Sequence, residues 1–125
     1  MKSFKVLIVE DEVAMTRLYE RMIKKCKGIN PTILKARDND EAFDLFLENT
    51  DIDAAVLDGS PKGSGFTDTY KLALAIRLRR PDCRLIAVTG NPAGCKQLWD
   101  FCDRKLAKPF EKEDFWEALG LVSSI

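Results

Sequence analysis

A short apolar run that ends on a carboxylate constrains this chain more than any other feature. Residues 54–57 are all apolar, Asp58 follows them, and a segment rich in glycine and serine comes next. This pattern predicts a buried strand, residues 54–58, with an acidic side chain at its carboxyl end. In an open parallel sheet, ligands bind in the crevice beyond the carboxyl ends of the strands. We therefore expect Asp58 to lie in a binding or catalytic site.

Three other apolar runs also end on polar or charged side chains. The residues that follow these three runs are Glu10 with Asp11, Thr89, and Lys108. If the four strands are parallel neighbours, three carboxylates, a hydroxyl group and an ammonium group meet at one edge of the sheet. Carboxylate oxygens are ligands that Mg²⁺ prefers, and cations stabilise the charge of a phosphoryl group during transfer. The pattern therefore indicates a magnesium and phosphoryl site.

Helical patterns separate the predicted strands along the chain. In the first helical segment, apolar residues from Met15 to Cys26 recur at i, i+3, i+4, i+7, i+8 and i+11, which predicts one buried helix face. A helix from about Thr67 to Arg79 is predicted in the same way, and Asp38 and Asn91 are candidate N-caps of two others. The predicted strands are residues 4–9, 32–36 at a sheet edge, 54–58, 84–89 and 104–107. Because strand and helix alternate five times, we predict an α/β fold with a doubly wound parallel sheet.

The composition excludes several kinds of chemistry. The chain has no histidine, which excludes Ser-His and Cys-His nucleophile pairs and imidazole metal ligands. Its 20 basic and 20 acidic residues give a formal net charge of zero, so we expect no nucleic-acid partner and no membrane partner. A chain of 125 residues is expected to form one domain, residues 1–125.

Cysteine spacing and the first residues indicate where the protein is located. Cys26, Cys83, Cys95 and Cys102 show no CxxC spacing, so we expect free thiols in a reducing compartment. Residues 1–9 carry only a brief apolar run, which is too short for a signal peptide or a membrane span. We therefore expect a cytoplasmic protein.

The residues at the predicted strand ends resemble the motifs of the receiver domain of bacterial response regulators. The matching residues are Glu10-Asp11, Asp58, Thr89-Gly90 and Lys108-Pro109-Phe110. They occur in the family's order and at the matching strand ends, and the resemblance covers essentially the full length of the chain. It implies a CheY-like, flavodoxin-like (βα)5 fold with strand order 2-1-3-4-5. That order places the first and third strands side by side.

The resemblance also implies a role for each matching residue. Asp58 would be the nucleophile that takes a phosphoryl group from a phosphohistidine on a sensor histidine kinase or phosphotransfer protein. Asp11, Asp58 and the main-chain carbonyl of Ser60 would bind Mg²⁺, and Glu10 would act through a metal-bound water. The residues that would contact the phosphoryl oxygens are Thr89 and Lys108. Such a domain catalyses its own phosphorylation and dephosphorylation, but it acts mainly as a switch that signals to a downstream protein.

Two positions depart from the family's pattern. The family has a Met-Pro pair and then a glycine after the phosphoacceptor, whereas here Pro61 and Gly65 each come one residue early. Lys105 stands where the family has an aromatic residue that turns inward on activation. Because an ammonium group loses its hydration when it is buried, we expect Lys105 to point outward.

Two other functions fit parts of this pattern. The first is a receiver-like module that binds a protein partner independently of phosphorylation, which Lys105 and the shortened loop favour. The second is a phosphatase of the haloacid dehalogenase type, which also uses an aspartyl nucleophile. That family needs a second aspartate two residues from the nucleophile, but Val56 and Ser60 occupy those positions. The phosphatase is therefore the weaker alternative.

Overall fold

The computed structural model describes residues 1–58 and 68–121, in which five parallel strands form one sheet. The strands are β1 (Lys2–Val9), β2 (Ile29–Ala36), β3 (Ala54–Asp58), β4 (Arg84–Thr89) and β5 (Arg104–Ala107). The helices are α1 (Val13–Lys24), α2 (Asn39–Glu48), α3 (Thr69–Arg79), α4 (Lys96–Phe101) and α5 (Lys112–Leu119), with a 3₁₀ helix at Pro92–Cys95 before α4. The strand order β2-β1-β3-β4-β5 confirms the predicted topology. In this part of the chain, no helix is both long and apolar enough to cross a membrane.

The strand boundaries follow the prediction closely, except at one edge of the sheet. β3, β4 and β5 have the predicted boundaries. β1 and β2 begin earlier, because they pair along their whole lengths from Lys2 opposite Ile29 to Val9 opposite Ala36. β2 includes Pro31, which an edge strand tolerates because one side of the strand needs no amide donor.

Helices cover both faces of the sheet and create two hydrophobic cores. α1 and α5 pack on one face, where Tyr19, Ile23 and Phe115 are buried. α2, α3 and α4 pack on the other face, where Phe46 and Leu72 are buried. All residues of β3 are buried, as expected for a central strand that is covered on both sides. A site on β3 must therefore form at the end of the strand.

Polar side chains fix the starts of three helical segments. The predicted N-caps, Asp38 and Asn91, accept hydrogen bonds from the main-chain amides three residues later, at 2.8 Å and 3.2 Å. α3 begins at Thr69 because Asp68 caps it, which is two residues later than predicted. The predicted start, Thr67, lies outside the described residues.

The cysteines are free thiols, as predicted, and three of the four are buried. Burial raises the pKa of Cys83 to about 11 and that of Cys102 to about 12. Both thiols are therefore protonated at neutral pH, so they are packing residues and not nucleophiles.

Asp103, which no sequence pattern predicted to be important, connects α3, β4 and the start of β5. Its Oδ2 atom accepts hydrogen bonds from the Leu85 amide at 2.8 Å and from Arg77 Nη2 at 2.7 Å. Its own amide donates to the Leu85 carbonyl at 2.9 Å. Burial acts to raise the pKa of Asp103, but the Leu85 amide and the Arg77 guanidinium outweigh burial and lower it. Ionised Asp103 therefore stabilises the fold at neutral pH, and this stabilisation is lost as the pH falls through the folded-state pKa.

We expect Asp103→Ala to lower the free energy of unfolding by about 1–3 kcal/mol at neutral pH, because the Leu85 amide loses a charged acceptor. The difference from the wild type should shrink as the pH falls below the ordinary pKa of aspartate, about 4. Urea unfolding followed by circular dichroism measures both effects. Asp100→Ala is the control, because Asp100 makes an exposed ion pair with Lys96 at 2.7 Å and should cost less than about 0.5 kcal/mol. Equal losses in the two variants would contradict this role for Asp103.

Candidate functional site

The strand order brings the predicted side chains to one edge of the sheet. β1 pairs with β3, β3 with β4, and β4 with β5, all in parallel. The pairing extends past two strand ends, because the Glu10 amide donates to the Ala36 carbonyl at 3.0 Å and the Lys108 amide donates to the Thr89 carbonyl at 2.8 Å. The side chains at these neighbouring carboxyl ends are Glu10, Asp58, Thr89 and Lys108, as predicted.

Lys108 contacts the two buried carboxyl groups of this edge. Its Nζ atom lies 2.9 Å from Asp58 Oδ2 and 3.9 Å from Glu10 Oε2. Glu10 is 2% exposed and Asp58 is 9% exposed, so water solvates both carboxyl groups poorly. Burial acts to lower the pKa of Lys108, but the hydrogen bond to Asp58 and the charges of the two acids outweigh burial and raise it. Lys108 is therefore a permanent cation next to Asp58.

Side-chain alternation explains why these three groups meet on one face. The strand residues two positions before them all lie in the core beneath α1 and α5. They are Ile8, Val56 and Leu106. Because side chains along a strand point alternately to opposite faces, Glu10, Asp58 and Lys108 are directed toward that same face. Thr89 comes two residues after Ala87, which belongs to the opposite core, so Thr89 approaches the edge from the other face.

The environment of Glu10 favours the neutral form of its carboxyl group. Burial is the largest cause, the Asp58 carboxylate adds to it, and together they raise the pKa of Glu10 to about 8. Lys108 and the Glu12 amide, which donates to Glu10 Oε1 at 3.2 Å, act in the opposite direction. Glu10 Oε2 is buried and accepts no hydrogen bond from the described residues. A buried oxygen without a hydrogen-bond donor is costly, and the Lys108 ammonium, 3.9 Å away, is too distant to donate one.

The acids that follow β1 form a compact group that fits a divalent cation. One carboxylate oxygen from each of Glu10, Asp11 and Glu12 lies within 4.8 Å of the other two. The group runs from buried Glu10 to exposed Glu12, so it is open to solvent on one side. Closely spaced carboxylates of this kind suit Mg²⁺, which takes oxygen ligands and keeps several waters. Glu12 was not predicted as part of the group, although the run of three acids could have indicated it.

The hydroxyl oxygen of Thr89 already accepts one hydrogen bond from the main chain. Thr89 Oγ1 accepts a hydrogen bond from the Asn91 amide at 3.0 Å, and the residue is 7% exposed. A hydroxyl that accepts from an amide can still donate its own hydrogen. Thr89 can therefore donate a hydrogen bond to a ligand oxygen at this edge.

Two predicted features lie apart from this cluster. Ser60, whose carbonyl is the predicted third metal ligand, lies outside the described residues, as does the rest of the loop from 59 to 67. Lys105 lies on β5 with its side chain exposed, as predicted for an ammonium group.

Tyr19 lies beneath the site, although its place in a helical stripe predicted only a core residue. It is 1% exposed, and its ring centroid lies 6.1 Å from that of Phe110 and 5.5 Å from that of Phe115. Its hydroxyl group is buried and has no hydrogen-bond partner among the described residues. Burial first, and then the negative charges of Glu10 and Asp58, raise the pKa of Tyr19. No sequence signal could have placed this neutral phenol within the field of the acids.

No protein-family model matches the sequence, and no similar sequence is found among curated proteins. Solved structures, in contrast, resemble the chain over nearly its full length. A response regulator receiver domain protein from Clostridium thermocellum is 22% identical with a TM-score of 0.76, over 94% of this chain and 91% of that one. The chain has the fold of response regulator receiver domains.

Two further structures with the receiver fold contain ligands. The response regulator TrrA from Thermotoga maritima, in complex with Mg²⁺-BeF, is 23% identical with a TM-score of 0.77, over 98% of this chain and 100% of that one. A response regulator from Burkholderia pseudomallei with a phosphorylated aspartic acid, a calcium ion and citrate is 24% identical with a TM-score of 0.75. That match covers 93% of this chain and 66% of the other. At these identities, the similarity establishes the receiver fold alone.

We expect Glu10→Gln to raise the free energy of unfolding when divalent cations are removed, and to raise it more at high pH than at low pH. The folded-state pKa of Glu10 is raised, so its contribution to stability is fully present below the ordinary glutamate pKa and is lost as the pH rises through about 8. Glutamine has no such titration. Urea unfolding in a chelator at about pH 5 and about pH 9 measures the difference.

Glu12→Gln is the matched control, because Glu12 belongs to the same run of acids but is exposed. Its unfolding free energy should follow the pH dependence of the wild type. If Glu10→Gln kept the full pH dependence of the wild type, a group other than Glu10 would cause the loss of unfolding free energy at high pH.

Proposed function

We propose that the chain is a response regulator receiver that accepts a phosphoryl group on Asp58 in a Mg²⁺-dependent reaction. The donor would be a phosphohistidine on a sensor histidine kinase or a phosphotransfer protein, and the acceptor of the signal would be another protein. The observation that carries the proposal is the contact of Lys108 Nζ with Asp58 Oδ2, at 2.9 Å, next to the acidic group that follows the neighbouring strand, β1. The receiver fold supports it, because this edge is where such sheets bind ligands.

Asp58 is suited to be the nucleophile. Its carboxylate is located where a strand ends, so one side of the group faces the edge of the sheet, and the Lys108 ammonium stabilises its negative charge. In the proposed step, a carboxylate oxygen forms a bond to phosphorus while the bond from phosphorus to the imidazole nitrogen breaks. The electron pair of that bond leaves with the ring, which takes up one proton from solvent. The products are an aspartyl phosphate on this chain and a neutral imidazole on the donor.

Residues of this chain would hold Mg²⁺ and the phosphoryl oxygens. Asp11 and Asp58 would be direct carboxylate ligands, and Ser60 would offer its carbonyl. Glu10 would contribute through water, with Oε2, which accepts no hydrogen bond from the described residues, as the acceptor. When bound, Mg²⁺ supplies positive charge to the oxygens of the group in transfer. Thr89 would donate its hydroxyl hydrogen to one of those oxygens.

Lys108 would exchange its protein partners for the phosphoryl group. In the unphosphorylated chain, Lys108 contacts two carboxyl groups. A phosphoryl group on Asp58 would offer oxygens with more negative charge in the same place. This movement of Lys108 would leave Glu10 with less positive charge nearby. The cation bound by the acids after β1 would compensate for that loss. Phosphorylation would thus rearrange the charges at the strand ends.

A phosphorylation-independent interaction module is the second candidate. The observation that favours it is exposed Lys105, which stands where the family has an aromatic switch residue. A fixed lysine on β5 would give a protein partner a constant positive contact. The absence of a nucleic-acid partner, the cytoplasmic location and the single domain stay predictions.

We expect the chain, given Mg²⁺ and a small acyl phosphate or phosphoramidate, to gain one phosphoryl group that is stable to acid and labile to base. Intact-protein mass spectrometry measures the gain, and Asp58→Asn should abolish it because the nucleophile is lost. Asp51→Asn is the control, because Asp51 is exposed and pairs with Lys5, away from the site, at 2.7 Å. Equal labelling of Asp58→Asn, or an unlabelled wild type with both donors, would contradict the proposal.

We expect Lys108→Ala to fold and to lose at least roughly tenfold in the rate of phosphorylation, because a cation aimed at the phosphoryl oxygens is removed. A time course of labelling with the same donors, quenched at intervals, measures the rate of phosphorylation. Thermal unfolding measures whether the variant is folded and how stable it is. Lys112→Ala is the control, since Lys112 pairs with exposed Glu113 at 3.0 Å and lies in α5. A lowered melting temperature with an unchanged phosphorylation rate would show instead that Lys108 is purely structural.

A further inference from the structure

Exposed leucines are concentrated on two helices, α2 and α3. Leu47 on α2 is 52% exposed, and Leu74 and Leu78 on α3 are 37% and 74% exposed. Across residues 1–58 and 68–121, the only other exposed large apolar side chains are those of Met1 and Val13. Burying an exposed leucine side chain against a partner is favourable, because its apolar surface is removed from water. Exposed apolar side chains that share one surface are typical of interaction sites.

α2 and α3 lie side by side, so their solvent-facing sides form one surface. Asn39 Nδ2 donates a hydrogen bond to Thr69 Oγ1 at 3.4 Å where the two helices begin. Further along, the Arg79 guanidinium carbon lies 5.0 Å from the centre of the Phe43 ring. We call the surface formed by the solvent-facing sides of these two helices the α2–α3 face.

The two helices of the α2–α3 face carry opposite charges. α2 contains acids and no base, whereas α3 contains bases and no acid. The acids are Asp40, Glu41, Asp44 and Glu48, and the bases are Lys71, Arg77 and Arg79. Within the described part of the chain, Arg77 pairs with Asp103, but no ion pair uses Asp44 or Lys71. Charge on both helices is therefore available to a partner.

Helical spacing aligns the exposed charges with the exposed leucines. On each helix, positions i, i+3 or i+4, and i+7 share one side of the surface. The α2 stripe consists of Asp40, Asp44 and Leu47, and the α3 stripe consists of Lys71, Leu74 and Leu78. The α2–α3 face thus presents an acidic and apolar stripe beside a basic and apolar stripe.

We propose that the α2–α3 face is a self-association surface, on which two copies of the chain pair about a two-fold axis with α2 of each copy against α3 of the other. A two-fold contact requires a patch that is complementary to itself. The α2–α3 face meets this requirement, because the acidic helix meets the basic helix twice and the leucines lose contact with water. Pairing of α3 with α3 would instead place like charges opposite each other, which is unfavourable.

The size of the α2–α3 face limits the area that a dimer can bury. α2 has 10 residues and α3 has 11, so at about 1.5 Å per residue each is roughly 16 Å long. Helices of this length offer a small surface compared with the ~800 Å² that each partner of a standard-size complex buries. The dimer should therefore dissociate on dilution. Added salt should weaken it further, because exposed charge pairs are screened.

Sedimentation equilibrium of the whole chain at low salt over a range of concentrations tests the proposal, and a monomer–dimer equilibrium is expected. Leu78→Gln should weaken the dimer by roughly tenfold or more, because the leucine no longer gains from burial. The variant should keep the wild-type melting temperature, since Leu78 is 74% exposed. Val13→Gln is the control, because Val13 is 57% exposed but lies on α1, on the other side of the sheet.

A charge-exchange experiment tests which helices meet. Asp44→Lys and Lys71→Glu should each weaken self-association, because each places like charges opposite one another in a dimer of that variant. An equal mixture of the two variants should associate more tightly than either alone, because both contacts of the mixed dimer are again complementary. A wild type that stays monomeric, a dimer that is insensitive to Leu78→Gln, or a mixture no tighter than its components would each overturn the proposal.

Discussion

Lys108 places one positive charge beside two carboxyl groups that are almost fully buried, and the other features of the site depend on this contact. The ammonium group stabilises the buried carboxylate of Asp58, and it partly opposes the burial that raises the pKa of Glu10. The contact exists because β3 lies between β1 and β4, with β5 next in order, so residues far apart in sequence follow neighbouring strands. Any anion or cation that enters this edge competes for the same charges, which makes the site responsive to what it binds.

Two side chains at this edge bury polar atoms that have no hydrogen-bond donor or partner among the described residues. Glu10 has a buried oxygen without a donor, and Tyr19 has a buried hydroxyl group without a partner among the described residues. Buried polar atoms without hydrogen-bond partners cost free energy. The rest of the molecule offsets that cost with two continuous cores and with contacts such as those of Asp103. The two cores hold the strands that carry the site, while Glu10 and Tyr19 at the site keep buried polar atoms without hydrogen-bond partners among the described residues.

The sequence predicted the strands of the sheet centre well, because runs such as residues 54–58 and 84–89 are apolar throughout and end at polar residues. It predicted the edge strand less well, because Pro31 resembles a break until the unpaired side of β2 is known. The convergence of Glu10, Asp58 and Lys108 followed from strand ends and topology. What the sequence could not show was the depth of Glu10, the position of Tyr19 or the bridging role of Asp103. Each of these depends on distances between elements and not on a local pattern.

If Asp58 is a phosphoacceptor that Lys108 and the acids after β1 support, all of these residues should rearrange around a phosphoryl mimic. A crystal structure of the protein grown with Mg²⁺ and beryllofluoride would show this. We expect beryllofluoride bonded to Asp58, a metal ion held by Asp11 and Asp58, and Lys108 Nζ moved from the carboxyl groups to a fluorine atom. A structure in which Asp58 carried no beryllofluoride and Lys108 kept its contact with Asp58, at saturating beryllofluoride, would contradict this expectation.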